Sequence, residues 1–371
     1  MDLTATTTTL AGAAAEVARL LPSRVFDPVL AGVLISADAH GVVLAGSDRE
    51  HAVRLARTAL VHAEGRALVP AKPLAETLRA LDTEQVRLVV EGSRLAIRTP
   101  GARFALPLLD VDVHPGVPEP PPLTGTVRGA LLQAAVVAAA SAASRDDALP
   151  IFTGLRMWVE NGRLAMMASD RYRMAMVTLP WQPAPDGAPL DLLAPAAVLV
   201  DVVKQVGRAD SVALHADADR IGLTWGSDSV STALLAAPFP DERARKLLAA
   251  TVSGTVEVDA DALAAAVRRA SPYAGPHGTV TLVPADGELR VQGSDPQAGE
   301  SEEAVKAVVS GHHGTKVYQA RYLADALRAF TGRTVRMRLQ DGLRPTVFTA
   351  EPDETEVELT YLVVPMRPPA H

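Results

Sequence analysis

Cysteine is absent from the 371 residues, which excludes disulfides, thiolate metal sites, iron–sulfur clusters and cysteine nucleophiles together. Aromatic residues make up 4% of the chain, too few for the stacking platform of a protein that grips single-stranded nucleic acid. No apolar run approaches the roughly 18 to 20 residues of a membrane-spanning helix. Met1-Asp2-Leu3 and the threonine run after it lack the basic flank and apolar stretch of a secretory signal. The expectation is a cytoplasmic protein with no membrane partner. Positive charge is also in deficit, since 36 Lys plus Arg against 43 Asp plus Glu leave a net charge of -7. Adhesion to nucleic acid over the whole surface is thereby disfavoured. Contact with a polyanion would need the cations gathered on one face.

Catalytic signatures are missing as well. The chain has no G-x-x-x-x-G-K-[ST], no G-x-G-x-x-G after a strand, no G-x-S-x-G and no H-E-x-x-H. Nine histidines are scattered, and the one adjacent pair, His312-His313, stands between Gly311 and Gly314 and reads as a solvated turn. No catalytic residue, metal or cofactor is expected.

What is present is a globular balance, 48% hydrophobic and 21% charged, in a chain long enough for two to four domains. It repeats itself. Ser-Asp recurs as Ser47-Asp48, Ser169-Asp170 and Ser294-Asp295, each after an apolar run preceded by a turn glycine, Gly41, Gly162 or Gly287. A second register agrees: Glu76 to Leu81, Asp201 to Val206 and Asp325 to Phe330 share a pattern of acid, apolar residues and base, with apolar residues at helical spacing. After each come two strand-like runs, and an Ala-rich helical run opens each unit: Leu10 to Leu21, Gly129 to Ser144 and Ala260 to Ala270. The reading is α+β: three tandem similar domains, 1–120, 125–248 and 254–371, each with two helices packed on antiparallel sheets. The proline-rich stretch Pro115 to Pro122 falls between units and Pro180 to Pro189 does not, so the period, not composition, places the boundaries.

The recurrent Asp48, Asp170 and Asp295 suit turns, because a carboxylate at a strand end bonds nearby backbone amides. Three equivalent catalytic carboxylates without a second acid or base make little chemical sense. The recurrent cation is more informative. Arg79, Lys204 and Arg328 hold equivalent helix positions. A solvated surface explains any one of them, but three equivalents suggest a shared face. Arg24, Lys72, Arg145, Arg208, Arg268 and Arg321 attend the same helices. If those helices line one concave surface, an acidic protein acquires a positive interior for phosphates. With no recognition-helix motif or zinc finger, such contact would be sequence-independent.

Three landmarks carry a resemblance. Ala168-Ser169-Asp170-Arg171-Tyr172-Arg173-Met174-Ala175 resembles the Ala-Thr-Asp-Gly-His-Arg-Leu-Ala signature of the bacterial DNA polymerase III beta subunit (sliding clamp) family. Phe239-Pro240-Asp241 resembles its Phe-Pro-Asp element, and Tyr361-Leu362-Val363-Val364-Pro365-Met366-Arg367 its Tyr-Val-Val-Met-Pro-Met-Arg ending. The likeness covers essentially the whole chain, including Arg24 to Leu30 and Tyr322.

The resemblance implies the DNA clamp fold, with two chains closing into a homodimeric ring of six similar domains around duplex DNA. It implies a non-catalytic processivity factor that tethers DNA polymerase and other replication or repair proteins and is opened by a clamp loader. It also implies a pocket for short linear client peptides, here Phe152, Ser169, Arg171, Tyr172, Arg173, Met174, Pro240, Tyr322, Leu362, Val363, Val364, Pro365, Met366 and Arg367. The dimer contact corresponds to Phe104, Leu106, Pro272 and Tyr273. Arg171 and Tyr172 replace the family's Gly-His, Glu242 stands for an aromatic, and Pro368 for a terminal Leu. These departures bear on client choice, and leave an accessory clamp serving repair or translesion polymerases as the alternative to the main replicative one. Two other classes stay open, an enzyme with an interdomain active site and a scaffold that has lost DNA encirclement.

Overall fold

The computed structural model describes residues 1–21, 27–248, 251–312, 314–353 and 357–367. Its helices are α1 (Thr7–Leu20), α2 (Ala71–Arg79), α3 (Gly129–Ala140), α4 (Ala196–Val206), α5 (Asp241–Leu248), α6 (Ala260–Ala270) and α7 (Ala320–Arg328). The apolar spacing decides which face each helix buries. Leu74 and Leu78 of α2, Leu199, Val202, Val203 and Val206 of α4, and Leu323 and Leu327 of α7 are all buried. A leucine so placed contributes about 1.5 to 3 kcal/mol relative to exposure. The last turns carry the recurrent cations Arg79, Lys204 and Arg328, where the carbonyl end of a helix favours positive charge.

Helix α1 starts at Thr7, ahead of the expected Leu10, and α3 stops at Ala140, short of Ser144. Ser141 ends α3 because its hydroxyl donates to the Ala138 carbonyl, and the amides of Ala142 and Ala143 turn back to Ala139 and Ala140 in a tighter coil. No element was expected over α5. Its residues, Asp-Glu-Arg-Ala-Arg-Lys-Leu-Leu, bear no continuous apolar stripe, and only Ala244 is buried among the side chains described there. Among the described residues no helix is long and apolar enough to cross a membrane.

The chain divides into two compact units. The first comprises Met1–Thr126, Pro183–Ala188 and Ala209–Leu234, and the second Val127–Gln182, Pro189–Arg208 and Leu235–His371. In the first, α1 and α2 pack together. A five-stranded sheet runs in the order Leu60–Ala63, Asp2–Thr6, Gln85–Glu91, Arg94–Thr99, Ala102–Pro107, which leaves Ala102–Pro107 at its edge. In the second, α3 packs on α4 and α6 on α7, over a continuous twelve-stranded sheet from Asp191–Pro195 to Lys316–Gln319.

One kind of joint links successive repeats. In the first unit Asp228–Ala233, the last strand of the second repeat, pairs antiparallel with His51–Arg57, the strand after the first Ser-Asp corner. In the second unit Glu358–Val363, the last strand of the third repeat, pairs antiparallel with Arg173–Pro180, the strand after the second corner, from Arg173↔Val363 to Thr178↔Glu358. The strand after the third corner, Gly299–Gly311, pairs over 299–306 with Glu288–Asp295 and over 307–311 with Gly254–Asp259. The other side of 299–306 has no strand partner among the described residues.

The turn glycines behave as their spacing implies. Gly41, Gly162 and Gly287 all have positive φ. At Gly41 (φ 131) an added Cβ would also stand 2.6 Å from the Arg57 carbonyl oxygen. Gly41→Ala is therefore expected to lower stability by about 2 kcal/mol, from strain plus the close approach. Equilibrium denaturation in urea reads this directly, and an unchanged midpoint would refute it.

Candidate functional site

The Ser-Asp corner is built identically at its base in each repeat. Asp48 Oδ1 accepts from the amides of Glu50 and His51, Asp170 Oδ1 from those of Tyr172 and Arg173, and Asp295 Oδ1 from those of Gln297 and Ala298. This is turn chemistry three times over. Burial pushes the Asp48 carboxyl up, but the His51 side chain and the His51 and Glu50 amides outweigh it and hold the group below the usual carboxylate range. In the first two corners a serine hydroxyl also accepts from the amide of an arginine two residues on, Ser47 from Arg49 and Ser169 from Arg171. Both arginines lie in the left-handed region, at φ 82 and φ 78.

The second corner anchors the C-terminal segment. Tyr172 accepts through its carbonyl from the Val364 amide at 2.8 Å, and Val317 from the Met366 amide at 2.7 Å. Residues 364–367 are thus strung between the corner and the strand Lys316–Gln319. They line a pocket of about 470 Å³ together with Tyr172, Gln319, Arg321, Tyr322 and Leu343. Tyr172 and Tyr322 stack with ring centroids 6.2 Å apart and planes within 15°. The Arg173 and Arg321 guanidiniums lie 4.6 Å and 4.7 Å from the Tyr322 centroid, close enough for cation–π attraction.

Arg173 is 8% exposed and ion-paired to Asp170 at 3.0 Å and Asp325 at 2.6 Å. Burial works against its charge, but Tyr361, Asp325 and Asp170 more than compensate and raise its pKa further. Burial likewise pushes the Tyr361 phenol up to about 12. Lys316 is buried, its ammonium donating to the carbonyls of Gln340 and Gly342, and burial lowers its pKa. It pins the loop that carries Leu343.

Of the residues expected in the pocket, Tyr172, Tyr322, Val364, Pro365, Met366 and Arg367 line it. Arg171 stacks beside it, over Phe152 and Tyr172, while Ser169 and Arg173 do not line it: Ser169 bonds the Arg171 amide and the Arg173 carbonyl within the corner, and Arg173 lies against the Tyr322 ring. Met174, Leu362 and Val363 are buried. Met174 and Leu362 face each other across the strand joint and share an apolar cluster with Trp158, Met167, Ala244 and Val347, against which Phe239 and Val364 pack. Pro240 leads into α5, accepting from the Ala244 amide.

Gln319, Arg321 and Leu343 were not assigned to the pocket from sequence. Arg321 was expected on the cationic surface; it lines this pocket and also a depression between α6 and α7. Arg245 was missed too: it lies 5.0 Å from the Trp158 ring centroid and pairs with Glu160 at 2.8 Å. That hydrogen bond holds the Glu160 carboxyl below its ordinary range. With Arg156, bonded to Asp241 at 3.1 Å, it fastens α5 over the apolar cluster.

The remaining expected cations are exposed: Lys72, Arg79, Arg145, Lys204, Arg208, Arg268 and Arg328. Arg268, Arg321 and Arg328 line one depression of about 520 Å³ between α6 and α7. Lys72, Lys204 and Arg328 pair with Glu76, Asp201 and Asp325 on their own helices. Exposed pairs of this kind are weak, so a phosphate can replace the local acid. Arg24 lies outside the described residues, as does His313 of the histidine pair, and no metal-holding cluster occurs among the described residues. Phe104 is 42% exposed on the edge strand Ala102–Pro107, which also holds the half-buried Leu106. Exposed Pro272 and half-buried Tyr273 form a turn after α6, and the Tyr273 ring borders Gly299 and the start of 299–306.

Profiles of three domains match the chain in order: the DNA polymerase III beta subunit N-terminal domain over residues 1–118, its central domain over 126–241 and its C-terminal domain over 245–367. The beta sliding clamp of Micrococcus luteus is 33% identical over 79% of this chain and 95% of its own. That of Streptomyces coelicolor is 29% identical over 96% of this chain and 97% of its own. The crystal structure of the DNA polymerase sliding clamp from Bacillus subtilis superposes with a TM-score of 0.88, covering 99% of both chains at 23% identity. By these matches, spanning nearly every residue, the chain belongs to the DNA polymerase III beta subunit family.

Proposed function

We propose that the protein is a sliding clamp. Two copies close head to tail around duplex DNA, hold it without sequence preference, and tether DNA polymerase, loader subunits and other replication or repair proteins by short peptides. The modules are 1–120, 125–248 and 254–371, working in the cytoplasm with no catalytic step and no cofactor. The observation that carries the reading is the repeated strand joint. The last strands of the second and third repeats pair with the strand after the preceding corner, and among the described residues two strands of that kind lack such a partner: Ala102–Pro107, last in the first repeat, and 299–306, after the third corner. Repeating the joint between copies would use both edges and close the assembly. Phe104, Leu106, Pro272 and Tyr273 border these edges.

The cations Arg24, Lys72, Arg79, Arg145, Lys204, Arg208, Arg268, Arg321 and Arg328 would face the duplex. Enclosure retains the DNA, so contacts need only be weak. The test is topological: protein loaded on nicked circular DNA with its loader and ATP should stay bound, and should run off once the circle is linearised. Equal retention on both forms would sink the proposal.

For client docking, the pocket formed by Tyr172, Tyr322 and 364–367 gives an apolar floor with a flexible methionine and a cationic rim. Met366→Ala should weaken a fluorescent peptide taken from the polymerase client by about tenfold. Unchanged anisotropy titrations would move the site elsewhere. The bulk and charge of Arg171 and Tyr172 favour a second reading, an accessory clamp for repair polymerases. It predicts tighter binding of peptides from those polymerases than from the replicative one.

A further inference from the structure

We propose that Arg171 selects client peptides bearing an acidic side chain a few residues from the apolar anchor that fills the pocket. The proposal deepens the docking reading and rests on it. The Arg171 guanidinium lies 5.9 Å from the Phe152 ring centroid and 5.8 Å from that of Tyr172. Two rings thus orient an exposed, planar, bidentate donor, which reduces the freedom lost when it bonds a ligand. Its backbone stands at φ 78, a conformation that disfavours any residue with a Cβ. The strain is tolerated at a corner otherwise fixed by Ser169 and Asp170.

Among the described residues no carboxylate pairs with Arg171. The nearest in sequence, Asp170, is committed: one oxygen accepts the Tyr172 and Arg173 amides and the other the Arg173 guanidinium. The pocket lining adds Arg321 and Arg367 and contains no Asp or Glu. An apolar anchor therefore enters a site whose surroundings are positive and uncompensated.

The occupant follows from placement. Tyr172 is part of the pocket wall, and the Arg171 guanidinium lies 5.8 Å from its ring centroid without itself lining the pocket. A peptide seated in the pocket and crossing Tyr172 reaches the guanidinium roughly two to four residues from its anchor, at about 3.3 Å per extended residue. An Asp or Glu side chain there would make a charge-assisted pair.

The test uses the full-length protein and synthetic octapeptides with a central pair of large apolar residues as anchor and one Asp at one to four positions to either side, each with an Asn twin. In anisotropy titrations the wild type should prefer Asp over Asn by about fivefold to twentyfold at one placement. The preference should shrink as salt rises. It should vanish in Arg171→Gly, a substitution that relieves the backbone strain and preserves folding, and persist in part in Arg171→Lys, which keeps charge without the planar stack. Equal binding of the twins by wild type, or a preference that survives Arg171→Gly, overturns the proposal. If no peptide binds the wild type, the docking reading itself fails, and this proposal with it.

Discussion

Arg173→Met should destabilise the protein by about 3 kcal/mol, roughly a hundredfold in the unfolding constant. The side chain is buried and donates to Asp170 on its own corner and to Asp325 on α7. Removing one partner of a buried pair strands the other charges, at a cost of about 3 to 5 kcal/mol. Asp325 is 27% exposed and can rehydrate or lean on Arg328, 3.0 Å away, which argues for the lower end. Asp170 is only 10% exposed and has no such recourse. Guanidinium denaturation measures the loss, and adding Asp170→Asn should recover part of it by removing the stranded charge. The same variant should weaken client peptides, because Arg173 supports the Tyr322 ring. A destabilisation below about 1 kcal/mol would show that water replaces the guanidinium without penalty.

Phe104→Asp should abolish self-association and, with it, retention on circular DNA. An aromatic side chain on an unpaired edge is the kind of residue whose loss from an interface costs about 2 kcal/mol or more, some thirtyfold in affinity. The proposed partner edge, 299–306, includes Glu300, Glu302 and Glu303, so an introduced carboxylate adds like-charge repulsion to lost packing. Analytical ultracentrifugation at micromolar concentration should find monomer, and anisotropy should find client peptides bound as tightly as before. A persistent dimer would place the contact between copies elsewhere. Phe104→Ala, which removes packing without repulsion, should fall between the two.

Much of this was legible in the sequence because it is triplicated. The helices announced themselves through apolar spacing at Leu74 and Leu78, Leu199 and Val203, Leu323 and Leu327, and the corners through Ser-Asp after a turn glycine. Helix α5 was not legible, since it is held by Arg245 on Trp158 and Arg156 on Asp241, tertiary contacts that local propensity does not register. The pocket was half visible. Its C-terminal wall lies in one run, 364–367, but Gln319 and Leu343 join it through backbone and Lys316 bonds between segments distant in sequence. Met174 and Leu362 carry the family resemblance yet face each other inside the sheet, because strand pairing, not motif membership, decides which side chains turn inward.

The corner at Ser169-Asp170 separates what must be kept from what is at liberty to change. Its frame is fastened by a serine hydroxyl, one carboxylate and main-chain amides, and it asks of residue 171 a main-chain N–H and a left-handed backbone but no particular side chain. The first repeat places Arg49 in the same left-handed posture at its own corner, whereas the third puts Pro296 there. A substitution at the tip that keeps the amide and tolerates the left-handed backbone would therefore alter the chemistry presented there while the scaffold beneath stays as it is.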